Sequence, residues 1–566
     1  MSRKPSLLLA GVLLAVALIA ISASPAGSSG ESNGPIVGQA VAFDVSPPLT
    51  VLARERKPPA IKGGEVRPDR GPVVADHGFS GSSVARQASV AAPNIPAPLT
   101  SFEGLSNQDN FNVFGGRVNP PDPVGDVSRN YYVEMINLVF GIYNKSGTLL
   151  LGPLDIGTLW AGFSVPDCSD PSGDPIVVYD QLADRWLLSQ FTTSGDTDPN
   201  KPYWNCVAIS KTSNPTGQYY RYAFETKNFK FFPDYPKYGV WKDAYVITTR
   251  EFGPTTEYGI GVYALQKSRM LKGKANPQVV SFFLDGNDPD ILPLIGDGLL
   301  PADLDGTRRA PAGSAIPLVG TQDDGGPYGA TFDALNIWDL KVQWETPDPI
   351  ASLTLNTQLP TLPFDSIFPC APDSRDCLPQ PGITNPDQFL DILSYRQRPT
   401  WRLAYRNFGD HETMVTNQSV EAAPATAGIR WYEIRRAGTT YSIYQQGDYA
   451  PPDGVHRWMG SIAQDKEGNM GLGYSVVNAT TVFPGIRYTG RLANDPLGTM
   501  PLGEGTIING SGVQTTTNSR WGDYTSMNID PRDDCTFWYV NEYYTAAGQA
   551  SSPAGWQTRI GSFKIC

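Results

Sequence analysis

Hydrophobic and polar positions along this chain of 566 residues alternate in short runs and do not recur at helical spacing. The pattern is clearest near the C-terminus. There Arg520 and Asp523 lead into a short apolar strand, an Asp/Pro turn covers Asp530–Asp534, and Thr536–Val540 is aromatic and β-branched. Composition and turn chemistry of this kind predict a strand–turn–strand hairpin. The layout recurs upstream, with Asp122–Asp126 before Tyr131–Met135, Asp174–Asp180 before Arg185–Ser189, and Asp234–Trp241 before Ala244–Thr249. It recurs again with Ile316–Gly320 before Ala334–Leu340, Asp410–Val415 before Gly428–Ile434, and His456–Ala463 before Met470–Tyr474.

Each repeat leaves room for two more strands, such as Phe140–Tyr143, Cys206–Ser210 or Gly261–Leu265. Four strands per repeat, arranged radially, predict an all-β chain folded as a seven-bladed β-propeller, with six or eight blades the adjacent counts. The competing all-β arrangement is two or three sandwiches. Helical signals are scarce. Asp387–Arg396 is the best candidate, with Asn385 as N-cap and Pro386 in the first position.

Upstream of the repeats the pattern changes. Arg3 and Lys4 precede an apolar run, Leu7–Ile21, and small residues follow at Ser22–Ala26, so residues 1–26 read as a secretory signal peptide. An uncleaved anchor is the alternative, although a spanning helix needs about 20 apolar residues. Residues 27–100 are rich in Pro, Gly and Ser, without a sustained period, and read as a flexible tail. The propeller domain is then 101–566.

Composition agrees with short strands and frequent turns: 57 Gly, 50 Pro and 11% aromatic residues against 18% charged. A net charge of −12 argues against nucleic acid or anionic membrane as partner. No segment after the signal is long and apolar enough to span a membrane, and a monomer is expected. Six cysteines, all downstream of the signal, fit an oxidising compartment. Nearest-neighbour pairing is the simplest of 15 connectivities. It gives Cys168–Cys206, Cys370–Cys377 and Cys535–Cys566.

Several runs are familiar together: Leu300–Gly306, Gly409–Glu412, Arg430–Ile434, Arg520–Tyr524, Cys535–Tyr539 and Thr558–Phe563. Over residues 100 to 566 the chain resembles a group of secreted bacterial β-propeller proteins. The resemblance implies secretion and fold, and carries no assigned active site. A fainter similarity is to the Asp-box blades of sialidases, where Asp533 and Trp538 match. Cys535 replaces the usual Gly, and Pro531 stands at the leading Ser.

In a propeller the first strand of each blade lines a central channel, so residues leading into it converge on one mouth. That places Asp122, Asp126, Asp174, Asp234, His411, Arg457, Arg520 and Asp523 in a candidate binding ring, with Lys237, Asp410 and His456 beside them. Carboxylates there suit Ca²⁺, the candidate cofactor, which takes six to eight oxygen ligands. The arginines suit an anionic group. The competing reading is a lattice in which Asp caps turns and Arg bridges blades. Asp285, Asp303 and Asp305 hint at a separate Ca²⁺ loop but do not complete an EF-hand spacing. With three His and no Gly-x-Ser-x-Gly, a serine hydrolase is poorly supported, as are a metalloprotease and a phosphate-binding loop. The expected function is an extracellular binding or adhesion module for glycan or protein. The alternative is a glycoside hydrolase or lyase, sialidase-like, using paired carboxylates, and the choice between binder and enzyme stays open on sequence.

Overall fold

The apolar runs are strands, and most are buried on both faces. Thr536–Tyr544 and Met470–Val477 are buried along their whole length, which explains why they read as largely apolar stretches, and Glu412–Ala423 is buried as completely although it carries Glu, Thr, Asn, Gln and Ser. In the computed structural model, residues 34–59, 76–87, 94–226, 231–344, 347–370, 376–392, 397–516 and 520–566 are described. The expected signal peptide, 1–26, lies outside them.

Among the described residues, antiparallel pairing builds seven four-stranded units, two of them extended by a fifth strand. Their first strands are Val124–Val127, Ile176–Asp180, Phe232–Val240, Leu300–Leu304, Thr400–Asn407, His456–Gln464 and Ser526–Ile529. Each packs against the next, and the seventh packs against the first, so these inner strands close a ring. The fourth and fifth pair directly in parallel, Ala302 opposite Leu403 and Leu304 opposite Tyr405. This is the radial all-β arrangement of a β-propeller. The outer strand of the seventh unit comes from the other end of the domain: Thr100–Ser106 pairs antiparallel with Trp556–Lys564.

A repeated kink leads the chain into the ring. The backbone has a positive φ two or three residues before the strand at Asp122 (φ 48°), Asp174 (φ 41°), Gly298 (φ 148°) and Gln397 (φ 46°), and in a bulge within the strand, two residues before pairing resumes, at Tyr235 (φ 51°) and Met459 (φ 50°). Asp and Gly adopt this region readily, whereas Tyr, Gln and Met are held there against their preference.

Three sequence expectations need correction. The first strand of the fourth unit is Leu300–Leu304, and Ile316–Gln322 is its second. In the fifth, Thr400–Asn407 is first, and Glu412–Ala423, which holds most of the expected lead strand, is second. Both leads are hidden because Gly298 and Gln397 stand where the first two repeats have Asp. The expected helix at Asp387–Arg396 is a short 3-10 turn, Pro386–Gln388, running into a bridge strand Leu390–Asp391; 393–396 lie outside the described residues. Asn385 does cap that turn through the Asp387 amide.

The supposed tail 27–100 is also not free where it is described. Ile36–Gln39 adds a fifth strand to the third unit, and Ala42–Val45 adds one to the second. The helix Leu49–Glu55 buries Leu49 and Leu52, and Arg56 then pairs with Asp155 of the first unit at 2.7 Å. Further along, Ser80 donates its amide to Asp365, Arg86 donates to the Ala450 carbonyl, and Ile95 donates to the Leu502 carbonyl. The described parts of the segment form a belt laid against the outer parts of several units. Edge addition satisfies backbone groups and asks little of side chains, so no hydrophobic period marks it.

Disulfides join Cys168 to Cys206, Cys370 to Cys377 and Cys535 to Cys566. The last fixes the final residue to the turn of the seventh unit. On the chain-entropy model, closing a loop of that length contributes about 3–4 kcal/mol. Cys566→Ser is expected to lower the thermal midpoint by a few degrees with an unchanged far-UV spectrum; an unchanged midpoint would show that the strand pairing alone holds the end. Removing residues 34–59 is expected to lower the midpoint further and to promote aggregation by baring two sheet edges, measured by light scattering during a melt.

Candidate functional site

The kinks bring the leads of the inner strands together at one end of the ring. The Asp523 amide donates to Asp122 Oδ1 at 2.6 Å, and the Tyr524 hydroxyl donates to Asp174 Oδ2 at 3.1 Å. Asn137 joins the first two units here, donating to Asp122 and accepting from the Asp174 amide at 2.9 Å. Tyr235 and Tyr524 face each other with ring centres 5.1 Å apart. Lys237 Nζ lies 2.9 Å from the centre of the first ring and 3.5 Å from the second. On the same Tyr235 ring, Arg398 sits with its guanidinium carbon 3.7 Å from the centre.

Carboxyl groups crowd this mouth. Burial pushes Asp122 well above the usual carboxylate range, and Asp523 and Asp174 add to the push while Arg520 opposes it. Burial also raises Glu542 far up, again with Asp122 and Asp523 adding. Arg520 Nη2 meets Asp523 Oδ2 at 3.0 Å. Among the described residues, Asp523 Oδ1 and Glu542 Oε1 are buried without a hydrogen-bond partner.

Beside the mouth opens a groove of about 1240 Å³, lined by Tyr203, Arg250, Glu257, Tyr258, Leu292 and Tyr328. Two of its lining residues are held by Asp297, which accepts from Tyr328 at 2.7 Å and pairs with Arg250 at 2.6 Å, and which also meets Arg398 at 3.2 Å. Arg250 also borders a small cavity of about 10 Å³ lined by Lys237 and Arg398, so groove and mouth share a wall at Arg250.

The ring expected from sequence is therefore partly assembled. Asp122, Asp174, Arg520 and Asp523 converge. Asp234 lies partly exposed at the start of its strand, opposite Arg250 in register. Asp126 sits one level deeper, accepting from the Tyr179 and Val127 amides. His411 is at the other end of the ring: it follows the inner strand Thr400–Asn407, stacks on Phe408 and contacts Asp410. Its placement at the mouth is corrected, because the register of the fifth unit was misread. Arg457 also points elsewhere, gripping Asp453 at 2.7 Å and Glu504 at 2.8 Å, the latter on the outermost strand of its own unit. Tyr235, Arg398, Tyr524 and Glu542 escaped the sequence reading; the Tyr235–Pro236 pair, parallel to Asp122–Pro123 and Asp174–Pro175, was the available signal.

The proposed Ca²⁺ loop does not come together. Asp285 closes a turn on Asn287, while Asp303 and Asp305 both grip Arg402, each at 2.7 Å. Arg402 also reaches the Met527 carbonyl, linking the fourth, fifth and seventh units on the axis beneath the mouth. Another acidic group, Asp323, Asp324 and Asp333, has ligand atoms within 4.8 Å of one another. Two of these are already engaged, Asp323 by the Gly325 and Ser366 amides and Asp333 by those of Asp324 and Phe364.

No family model and no curated protein matches the sequence. Among solved structures, the α-L-arabinofuranosidase Arb93A of Fusarium graminearum is similar at 11% identity and a TM-score of 0.34, covering 69% of this chain and 93% of its own. An endo-arabinase from Bacteroides thetaiotaomicron gives 12% and 0.24 over 55% and 92% of the two chains. A thermostable family-43 glycoside hydrolase gives 10% and 0.27 over 71% and 97%. Likeness at these scores assigns no substrate to this chain.

The deeper level has a pH signature. Burial raises Asp126 to about 8, with Arg402 opposing and Asp303 adding, and burial raises Glu134 to about 7. Folded values above the unfolded ones mean that the stability of the neutral forms is complete below about pH 4 and is lost as pH rises through about 7–8. The thermal midpoint is expected to fall between about pH 5 and 9, and the slope to be shallower in Asp126→Asn whatever its absolute stability. A slope unchanged in that variant would remove Asp126 from the account.

Proposed function

We propose that the chain is an exported, carbohydrate-active propeller of seven blades, and that it is a glycoside hydrolase working at the channel mouth. The observation that carries this reading is the carboxyl cluster. Asp122 and Glu542 are pushed toward the neutral, proton-donating form beside Asp523, whose Oδ2 is held by Arg520 and whose Oδ1 has no partner. Cleaving a glycosidic bond needs such a division of roles. One carboxylic acid gives its proton to the leaving oxygen, and one carboxylate either takes a proton from the attacking water or attacks the anomeric carbon itself. In this reading Asp523 is the carboxylate, and Asp122 or Glu542 supplies the proton. The groove, at about 1240 Å³ with Tyr203, Tyr258 and Tyr328 on its walls, has room and aromatic faces for several sugar rings.

The binding-module reading keeps one specific support: both oxygens of Asp122 already accept hydrogen bonds. Three disulfides favour export, and among the described residues no helix is long and apolar enough to cross a membrane.

The test is a panel of polysaccharides and aryl glycosides with wild type, Asp523→Asn and Glu542→Gln, with and without EDTA. Hydrolysis that falls by about 10²-fold or more in Asp523→Asn while glycan binding persists is the expected result. Glycan binding by wild type with no hydrolysis across the panel would establish the binding module instead.

A further inference from the structure

Lys237 is the least explained charged group at the mouth. It is 2% exposed, and among the described residues its Nζ has no hydrogen-bond partner. A buried ammonium normally finds acceptors, because leaving it bare costs several kcal/mol in a site shielded from water. Here it has only the faces of Tyr235 and Tyr524. Those faces attract a cation but accept no conventional hydrogen bond from it. None of the carboxylates whose charge reaches it hydrogen-bonds to Nζ: Asp174 is engaged by the Tyr524 hydroxyl, Asp122 by Asn137 and the Asp523 amide, and Asp523 by Arg520 through Oδ2, its Oδ1 staying without a hydrogen-bond partner among the described residues. The remaining neighbour, Arg398, is a second cation.

Lys237 and Arg398 both line the cavity of about 10 Å³. That is close to the smallest space that holds one water-sized occupant. Arg398 is 1% exposed, and its Nε and Nη1 lack hydrogen-bond partners, although Nη1 stays within 3.2 Å of Asp297. Three further wall residues with side-chain oxygens are committed: Tyr235 donates to the Asp523 carbonyl at 3.3 Å, Thr248 to the Leu299 carbonyl at 2.6 Å, and Thr249 to Glu251 at 3.1 Å. Lys237 and Arg398 therefore offer the cavity donors, both on cations. A third cation, Arg250, also lines the cavity, and Asp297 is shared between it and Arg398, so a water molecule placed there would accept from cationic donors and bring no charge to offset theirs.

We propose that this cavity is a binding site for a single monatomic anion, a halide of chloride size, anchored by Lys237 with Arg398 on the adjoining wall. The anion takes the missing acceptor role and offsets the repulsion between the two cations. It also keeps Lys237 charged, against the burial and the Arg398 field that push its proton off. The site is independent of whether the mouth hydrolyses glycans, since its occupancy is read without substrate.

Bromide tests it directly. Crystals of the wild-type protein grown without halide and soaked in sodium bromide are expected to show an anomalous peak in the cavity beside Lys237 Nζ. In solution, the wild-type midpoint is expected to rise with sodium chloride to a plateau, relative to sodium gluconate at equal ionic strength. Lys237→Met is expected to lose that difference. Should the variant fail to fold, the wild-type soak decides alone. An ordered water without anomalous signal, or equal midpoints in the two salts, overturns the proposal. So does density for a carboxylate reaching the cavity from a glucuronate soak in place of bromide, because the anion recognised would then belong to a sugar.

Discussion

The fold depends on the meeting of its two ends. Each unit presents apolar faces to both neighbours, so an open ring would leave two such faces in water. Thr100–Ser106 closes it by pairing with Trp556–Lys564, Phe102 opposite Ile560 and Thr100 opposite Ser562. Side chains reinforce the seam, with the Tyr543 hydroxyl donating to Glu103 and Arg559 donating to Ser101. The terminal disulfide holds the same unit from its other side. Once closed, the ring still exposes outer edges, and the segment upstream of residue 100 covers several of them. The molecule thus manages its unpaired strand edges in two ways, by closure and by a belt.

The two ends of the ring differ in how completely their polar groups are satisfied. At the end where inner strands finish, Arg406 grips Asp534 through two bonds of 2.9 and 2.7 Å, Lys145 pairs with Asp530, and Arg436 pairs with Glu412. At the end where inner strands begin, Lys237 Nζ, Asp523 Oδ1, Glu542 Oε1 and both polar side-chain atoms of Gln397 lack hydrogen-bond partners among the described residues. Left-handed Tyr235, Gln397 and Met459 add backbone strain at that same end. Strain and unsatisfied polarity reduce stability, and a fold concentrates them where something else is to be bound. The level between is locked by Arg402, whose two aspartate partners make it an axle for the units around it. Removing one member of such a buried set typically costs about 3–5 kcal/mol.

Much of this architecture was legible. Turn-bounded aromatic runs gave the all-β class, and the Asp-Pro leads at 122 and 174 located the first two inner strands and half of the mouth. Legibility failed where the kink used other residues. Gln397 repeats the backbone turn of Asp122 and Gly298 takes a different positive φ at the equivalent place, neither with a shared side chain, so the fourth and fifth registers are not legible and His411 falls at the other end. Arg457 failed for a different reason: its position in the strand was right, but the pull of Glu504 on the outermost strand, which sequence does not reveal, sets its direction. The belt was invisible because edge pairing is a backbone interaction.

The central claim is that the end bearing Asp122, Lys237 and Asp523 meets the ligand. Hydrogen–deuterium exchange of the whole protein with and without an oligosaccharide mixture tests it most directly. Protection confined to segments around 235–258, 292–300 and 520–525 is the result this account expects. Protection instead around 408–411, 465–469 and 530–534, at the opposite end of the ring, would contradict it.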